Sequence, residues 1–492
     1  MRRQALGSVA VAFILALAAR AEAAIVPVSN PTELRAAIAA AKAGDEIVLA
    51  AGTYAISGPN LSCSASGTPA QPIVVRSATP LAAKLELSTV EGFLVSGPSW
   101  HFEGLDVVGT CATDSTCEHA FHVVGDATGF VLRNSRVVDF NAQLKVNATL
   151  VGAPKIPHGG LVENNELFDT RARNTGNPVT KLNIDTGDDW IVRANYIHDF
   201  HRLNGTTSYG AFMKSGGKNG LFERNLVLCT KDDATPGSHV GLSFGGGGTG
   251  NAFCAPAFDG NVPCAVEHEG GTMRNNVIAN CSALGIYINR GKDTKVLHNT
   301  LIATSGVDFR YETTTGESRG NVLTGIVRNR DGSTHTAAND LPNIAQATFE
   351  AMYTAPLVGD LRKKGDLSAL LGKGPANPDV PNDYCARARG GAWDLGALQH
   401  SLGDCTTVPP PPGSGPSPGA DAGASSSSGD GGSSGGADAG DGTTDGTGEG
   451  PRVDGADEPS GCGCRAARSD DAPTFALVAA AAALALARRR RS

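Results

Sequence analysis

A short rung recurs through the middle of this chain: LVENNELFD from Leu161, IVRANYIHD from Ile191, LFERNLVLC from Leu221, TMRNNVIAN from Thr272 and KVLHNTLIA from Lys295. Each is a strand-like run, then an Asn, then an apolar residue two places on. The Asn recurs at Asn165, Asn195, Asn225, Asn276, Asn299 and Asn321. A second run precedes each rung: KLNID from Lys181, AFMKS from Ala211, GLSFG from Gly241, GIYIN from Gly285 and GVDFR from Gly306. These runs are short and alternate, with Gly-, Asp- and Asn-rich turns between them, so they read as strands. Two or three strands per roughly 22–30 residues make one coil of a parallel β-helix, with variable inserts gathered on one face. An Asn at the same place in every coil can stack, its amide bonding the turns above and below and satisfying polar groups inside the coil. A leucine-rich repeat would need a Leu consensus, and a helical repeat a 3.6-residue period. The expectation is an all-β solenoid over residues 25–405.

The ends of the chain say where it works. It opens MRR, runs through an apolar stretch from Val9 to Ala19 and reaches Ala21-Glu22-Ala23, the pattern of a secretory signal over residues 1–24. Of 11 Cys, all but Cys462 and Cys464 lie between Cys63 and Cys405, where an oxidising compartment lets disulfides persist. Cys111 with Cys117, Cys254 with Cys264, and Cys385 with Cys405 are plausible pairs; the odd count leaves one over or paired elsewhere. Residues 406–460 collapse to Pro, Gly, Ser, Ala and Asp, a disordered acidic spacer that cannot bury a core. Residues 461–492 carry Cys462 and Cys464, an apolar run from Phe475 to Ala487, and Arg488 to Arg491. The run is shorter than the ~20 residues of a spanning helix. That order of parts resembles the MYXO-CTERM sorting signal. The resemblance implies processing at the Cys pair, lipid attachment there and display at the cell surface or outer membrane; without it the segment reads as an ordinary tail anchor.

At the start of the solenoid, Asn30-Pro31-Thr32-Glu33 reads as an N-cap with Pro in the first helical position. The helix expected from Pro31 to Lys42 places Leu34, Ile38 and Ala41 on one face, fit to cover the open end of a solenoid. Trp393 to Gln399 is expected to be a closing strand. This start, the Asn ladder and this end together resemble the pectate-lyase-like superfamily, which implies a right-handed parallel β-helix with an N-terminal capping helix.

In the aligned repeats, one slot reads Asp139, Asp169, Asp199, Cys229 and Asn280. Long connections follow it: Phe140 to Gly160, Thr170 to Thr180, Phe200 to Gly210 and Thr230 to Val240. They are expected to wall a groove whose floor is Asn183, Met213, Ser243, Tyr287 and Asp308. An elongated cleft on a secreted solenoid suits a linear polymer, with a polysaccharide as partner. The step Lys214-Ser215 resembles that of polysaccharide lyase family six, and the resemblance implies that Lys214 takes the proton at C5 of a uronic acid. Such a proton is barely acidic, so elimination needs a base beside it and a cation on the carboxylate. The family's next-coil Arg is replaced here by Gly245, which leaves Arg202 or Arg290 as neutraliser. Its Glu-x-Glu calcium pair is replaced by Thr207 and Tyr209. Counting back from Asn225 puts Lys214 in the inward slot of Ile184 and Ile288, which requires a slipped register or an escape at the corner.

The candidate catalytic residues are therefore Lys214, His201 and Arg290, with Asn183, Arg202, Ser243 and Tyr287 binding substrate. His198, His239 and Glu267-His268-Glu269 lie near them. The column Asp169 and Asp199 is a candidate calcium site, since stacked carboxylates repel without a cation; the alternative is that turn N–H groups, Arg171, Arg173 or Arg202 answer them. Asp185, Asp188 and Asp189 read as a turn paired to Lys218. Net charge is −8, with much of the acid in the spacer, and no basic stripe suggests nucleic acid. The Gly245–Gly248 run precedes no helix and no Lys-Ser/Thr, which excludes a phosphate loop. The leading reading is a surface-displayed polysaccharide lyase. The rivals are a glycan-binding or adhesin-like β-helix, which needs no base, and a glycoside hydrolase, which needs two carboxyl groups.

Overall fold

A computed structural model describes residues 23–246 and 251–408. The expected secretory signal, most of the expected spacer and the expected sorting signal lie outside the described residues. Three long sheets of 12, 10 and 10 strands run the length of the domain, and every pairing within them is parallel. One coil runs from Thr180–Asp185 in sheet three, through Ile191–Arg193 in sheet one and Tyr196–His198 in sheet two, to Ser208–Lys214 in sheet three again. The chain is a right-handed parallel β-helix.

Alternation sends every second side chain inward, so the same slot of each coil stacks. In sheet one the inward column is Val162, Val192, Phe222, Met273 and Val296, all without solvent exposure. The Asn column lies between sheets one and two, as the repeat predicted. Nδ2 of Asn165 donates to Oδ1 of Asn195 at 3.0 Å, and the relay continues through Asn225, Asn276, Asn299 and Asn321 at 2.9–3.1 Å. Ser135 and Asp340 end the column, Ser135 N donating to Asn165 and Asn321 Nδ2 to Asp340. The residue before each Asn is left-handed, with φ of 50–54° from Asn164 to His298, which turns the chain sharply enough to aim the amide inward.

The cap helix runs Pro31–Ala40, with Asn30 accepting from Glu33 N and with Leu34 and Ile38 buried over the first coil. It ends two residues earlier than expected because Asp45 Oδ2 accepts Lys42 N at 2.9 Å and pulls the chain into a turn. The expected closing strand at Trp393–Gln399 is not a strand. Leu395, Ala397 and Leu398 pack with the helix Gln346–Met352 and the hairpin Tyr353–Ala355/Asp360–Lys363 against Tyr196, Leu226, Leu228, Val277, Ala279 and Ile302. Those are outward residues of sheet two. They are apolar, so this face needs a cover, and the segment after the last coil supplies it.

Sheet one needs none. Its outward column reads Arg76, Glu103, Arg133, Glu163, Arg193, Glu223 and Arg274, each beside an opposite charge in a neighbouring coil. The three expected disulfides are present. A fourth, Cys229–Cys281, ties neighbouring coils, and Cys63 is left buried and free.

Candidate functional site

Sheet three is the remaining face. Its strands Thr180–Asp185, Ser208–Lys214 and His239–Phe244 are buried on both sides, yet their outward residues include charged, polar and aromatic side chains. Walls rise at both edges. At the strand starts stand 170–179, 199–207 and 229–238, the inserts the sequence pointed to. At the strand ends stand 148–160 and the 251–266 insert closed by Cys254–Cys264. The stretch Phe140 to Gly160 is not one insert: the strand Ala142–Asn147 runs through it, so its loop leaves from the opposite corner.

The outward column of the floor is Lys145, Asn183, Phe212, Ser243, Tyr287 and Asp308. Met213, expected there, pairs with Ile184 and Phe244 and faces the core. The corner after Lys214 (215–220) is one residue longer than the corner after Asp185 (186–190), and both open on a pair at positive φ, Ser215-Gly216 and Thr186-Gly187. That shift turns Lys214 out of the inward slot and sets it beside Asp185.

Lys214, Lys145 and Asp185 form the centre of the face. Asp185 Oδ1 takes Lys214 Nζ and Ser215 Oγ, each at 3.1 Å, and Oδ2 takes Lys145 Nζ. Lys145 Nζ also donates to Asn183 Oδ1 at 3.1 Å. Lys145 is 5% exposed, Asp185 3% and Lys214 5%. Lys214 Nζ lies 4.7 Å from the centre of the Phe212 ring. Burial works against an ionised Asp185, but the two ammonium groups outweigh it and hold the carboxyl down to about 2. Glu267 Oε2 accepts Ser215 N at 2.8 Å. Its burial pushes the carboxyl up, with Lys214 and Arg290 pulling the other way. Arg290 sits at the same corner, its carbonyl accepting Glu267 N at 2.9 Å and its guanidinium over Tyr311. The structure thus unites Lys214, Arg290 and Asn183 and adds Lys145, Asp185, Ser215 and Glu267.

Other expected site residues fall elsewhere. His201 and Arg202 sit at the start of the seven-residue strand that ends in Lys214, roughly 20 Å away. His201 is fully buried, its Nε2 donating to Cys229 O at 2.7 Å, and it stacks on His239. Arg202 reaches Gly176 O. Ser243 is on the floor, but its hydroxyl donates to backbone carbonyls of Gly245 and Tyr287. Tyr287 is on the floor, its hydroxyl 3.3 Å from Arg310. Tyr209, Phe212, Val240, Leu284 and Tyr287 form an apolar cluster there, which brings three aromatic rings to this face.

At the calcium candidates Asp169 and Asp199, protein groups supply countercharge and donors, as in the alternative reading. Asp169 pairs with Lys181 at 2.5 Å, both side chains without exposure, inside the corner of the coil. Burial pushes Asp169 up to about 6 and Lys181 down to about 8, against their attraction. Asp199 accepts three backbone N–H groups from Lys231, Asp232 and Asp233 at 2.8–3.0 Å and pairs with His198 at 2.8 Å. Asp185 answers Lys145 and Lys214, and Lys218 pairs instead with Glu269 at 3.4 Å. Two open clefts of about 370 and 300 Å³ lie away from this face, beside Lys295 and Glu317 and beside Arg224 and Thr407. Neither gathers buried charge as sheet three does.

No protein-family model and no curated protein sequence matches the chain. Similar solved structures include pectate lyase Pel9A, at 17% identity over 74% of this chain and 90% of that one, TM-score 0.49. A rhamnogalacturonan lyase is 14% identical over 66% of this chain and 88% of its own, TM-score 0.45. An alginate lyase from Paenibacillus sp. is 16% identical over 65% and 96%, TM-score 0.30.

Proposed function

We propose that the outer face of sheet three binds a uronate-containing polysaccharide and cleaves it by β-elimination, with Lys214 as the base. The observation that carries this reading is the buried Lys145–Asp185–Lys214 cluster. Two ammonium groups share one carboxylate, which leaves a surplus positive charge where charge is poorly solvated. We assign Lys214 as the lysine that acts as base, in its deprotonated form, because Ser215 and Glu267 adjoin it and Arg290 shares its corner.

In the proposed step the Lys214 amine takes the C5 proton. The electron pair moves into the carboxylate system, which Arg290 and Lys145 stabilise. The C4–O bond then breaks, the C4=C5 double bond forms, and Glu267 gives its proton to the leaving oxygen. A groove floor of stacked coils at ~4.8 Å spacing suits an extended chain of repeated sugars.

The test is to incubate the protein with a panel of polyuronates and follow the ultraviolet absorbance of the unsaturated product. Product from at least one polymer supports the reading. Binding without product favours the adhesin-like rival, and reducing ends without unsaturation favour hydrolysis.

Attachment at the cell surface through Cys462 and Cys464 belongs to the same proposal, supported by the order of parts in residues 461–492. Changing both Cys to Ser should release or retain the protein; unchanged display would contradict lipid-linked sorting.

A further inference from the structure

The first coils of sheet three carry a second cluster that the proposed chemistry does not use. Glu91 and His119 are register partners in neighbouring strands, and His122 follows His119 on the same outward edge. One oxygen, Glu91 Oε1, lies 2.7 Å from His122 Nδ1 and 3.6 Å from His119 Nδ1. The donor atoms of the three residues all fall within 4.8 Å of one another.

The proton inventory makes this arrangement informative. Asn147 Nδ2 donates to Ala148 O at 3.0 Å, which fixes its amide with Oδ1 toward His122. His122 Nε2 lies 2.7 Å from that Oδ1 and so carries a proton. His122 Nδ1 faces the Glu91 carboxylate oxygen, a place that a ring proton fills in the metal-free site and a bound cation can take instead. His119 Nδ1 is buried, lacks a hydrogen-bond partner and is turned toward the same oxygen. Two imidazole nitrogens and one carboxylate converging, with a carbonyl holding the far nitrogen of one ring, is the donor set and outer support of a dication of the zinc type. Tetrahedral zinc with ~2.0–2.1 Å bonds sets its ligand atoms roughly 3.3–3.5 Å apart, so the His119 contact already fits and the His122 contact must open slightly.

We propose that Glu91, His119 and His122 form a binding site for a transition-metal dication, zinc foremost, with an open fourth position toward the groove. Glu118, 4.0 Å from His119 Nε2, adds a nearby negative charge. Lys145 is the neighbour of His122 in the next strand, and its charge is answered by Asp185. The site is separate from the calcium expectation at Asp169 and Asp199, and it stands whether or not the polysaccharide reading holds.

The test is calorimetric titration of zinc ion into the chelator-treated full chain carrying Cys462→Ser and Cys464→Ser, which removes another metal-prone pair. One equivalent should bind. His119→Ala and His122→Ala should each abolish that binding, and Asn147→Ala, which leaves the ligand atoms in place, should weaken it about tenfold. Cobalt ion in the parent chain should give the intense visible bands of a four- or five-coordinate nitrogen and oxygen site. No heat with the parent, a weak octahedral cobalt spectrum, or unchanged binding in both His variants overturns the proposal. If a His variant does not fold, the Asn147→Ala titration and the cobalt spectrum still decide it.

Discussion

At the scale of single residues, buried charge in this protein is paired in two different ways. Asp169 and Lys181 form a closed pair inside the coil. Lys181→Met should strand a buried carboxylate and cost about 3–5 kcal/mol, whereas Asp169→Leu with Lys181→Met should restore most of it. Urea unfolding of the three variants checks this. Asp185 is different because it answers two cations. Asp185→Asn leaves both ammonium groups buried without a countercharge, with a similar expected cost of about 3–5 kcal/mol. The pH dependence has a definite sign. The folded carboxyl sits near 2, below the ~3.9 of an unfolded Asp. Its stabilisation is therefore fully present above about pH 4 and lost as pH falls toward 2. Stability measured from pH 6 down to 2 should fall more steeply for the parent than for Asp185→Asn; parallel acid limbs would contradict the pairing. Little of this was legible in the sequence. Lys145 and Asp185 are 40 positions apart, and only the stacking of coils brings them together.

At the scale of elements, the Asn ladder was legible and sheet three was legible only in part. Asn165 to Asn321 repeat in a local context that needs no knowledge of the fold, so their column could be read directly. The strand carrying Lys214 could not be placed to the residue, because a one-residue change in a corner reverses which side chains face in. The extra residue falls in the corner 215–220, and hydropathy alone does not mark such a change. Met213 and Lys214 exchange faces as a result. Trp393–Gln399 failed for another reason: a cover on the outer face of sheet two and a last rung of the coil draw on the same apolar residues. The ladder makes its own prediction. Asn225 Nδ2 donates to Asn276 Oδ1 and Val192 O, and its Oδ1 accepts from Asn195 N and Nδ2. Asn225→Ala empties all four partners inside a dry core and should cost about 3 kcal/mol or more. A denaturant midpoint within experimental error of the parent would show that the ladder contributes no stability.

At the scale of the whole molecule, each of the three faces has its own solution to being a sheet in water. Sheet one carries a column of alternating Glu and Arg, which also penalises a slip of one coil. Sheet two lies under the C-terminal layer. Sheet three keeps buried lysines, a buried carboxylate and an aromatic cluster between two walls, at a cost in stability that a merely structural face does not need. That contrast is the ground on which we propose function on sheet three. The measurement that tests it most directly is turnover of a uronate polymer by the parent and by Lys214→Ala, followed side by side through the unsaturated product and paired with the unfolding midpoint. Asp185 keeps Lys145 in the variant, so the midpoint should move little while the rate falls at least about a hundredfold, the scale of a lost general base. Full turnover in Lys214→Ala, or a loss of turnover matched by early unfolding, would contradict the account.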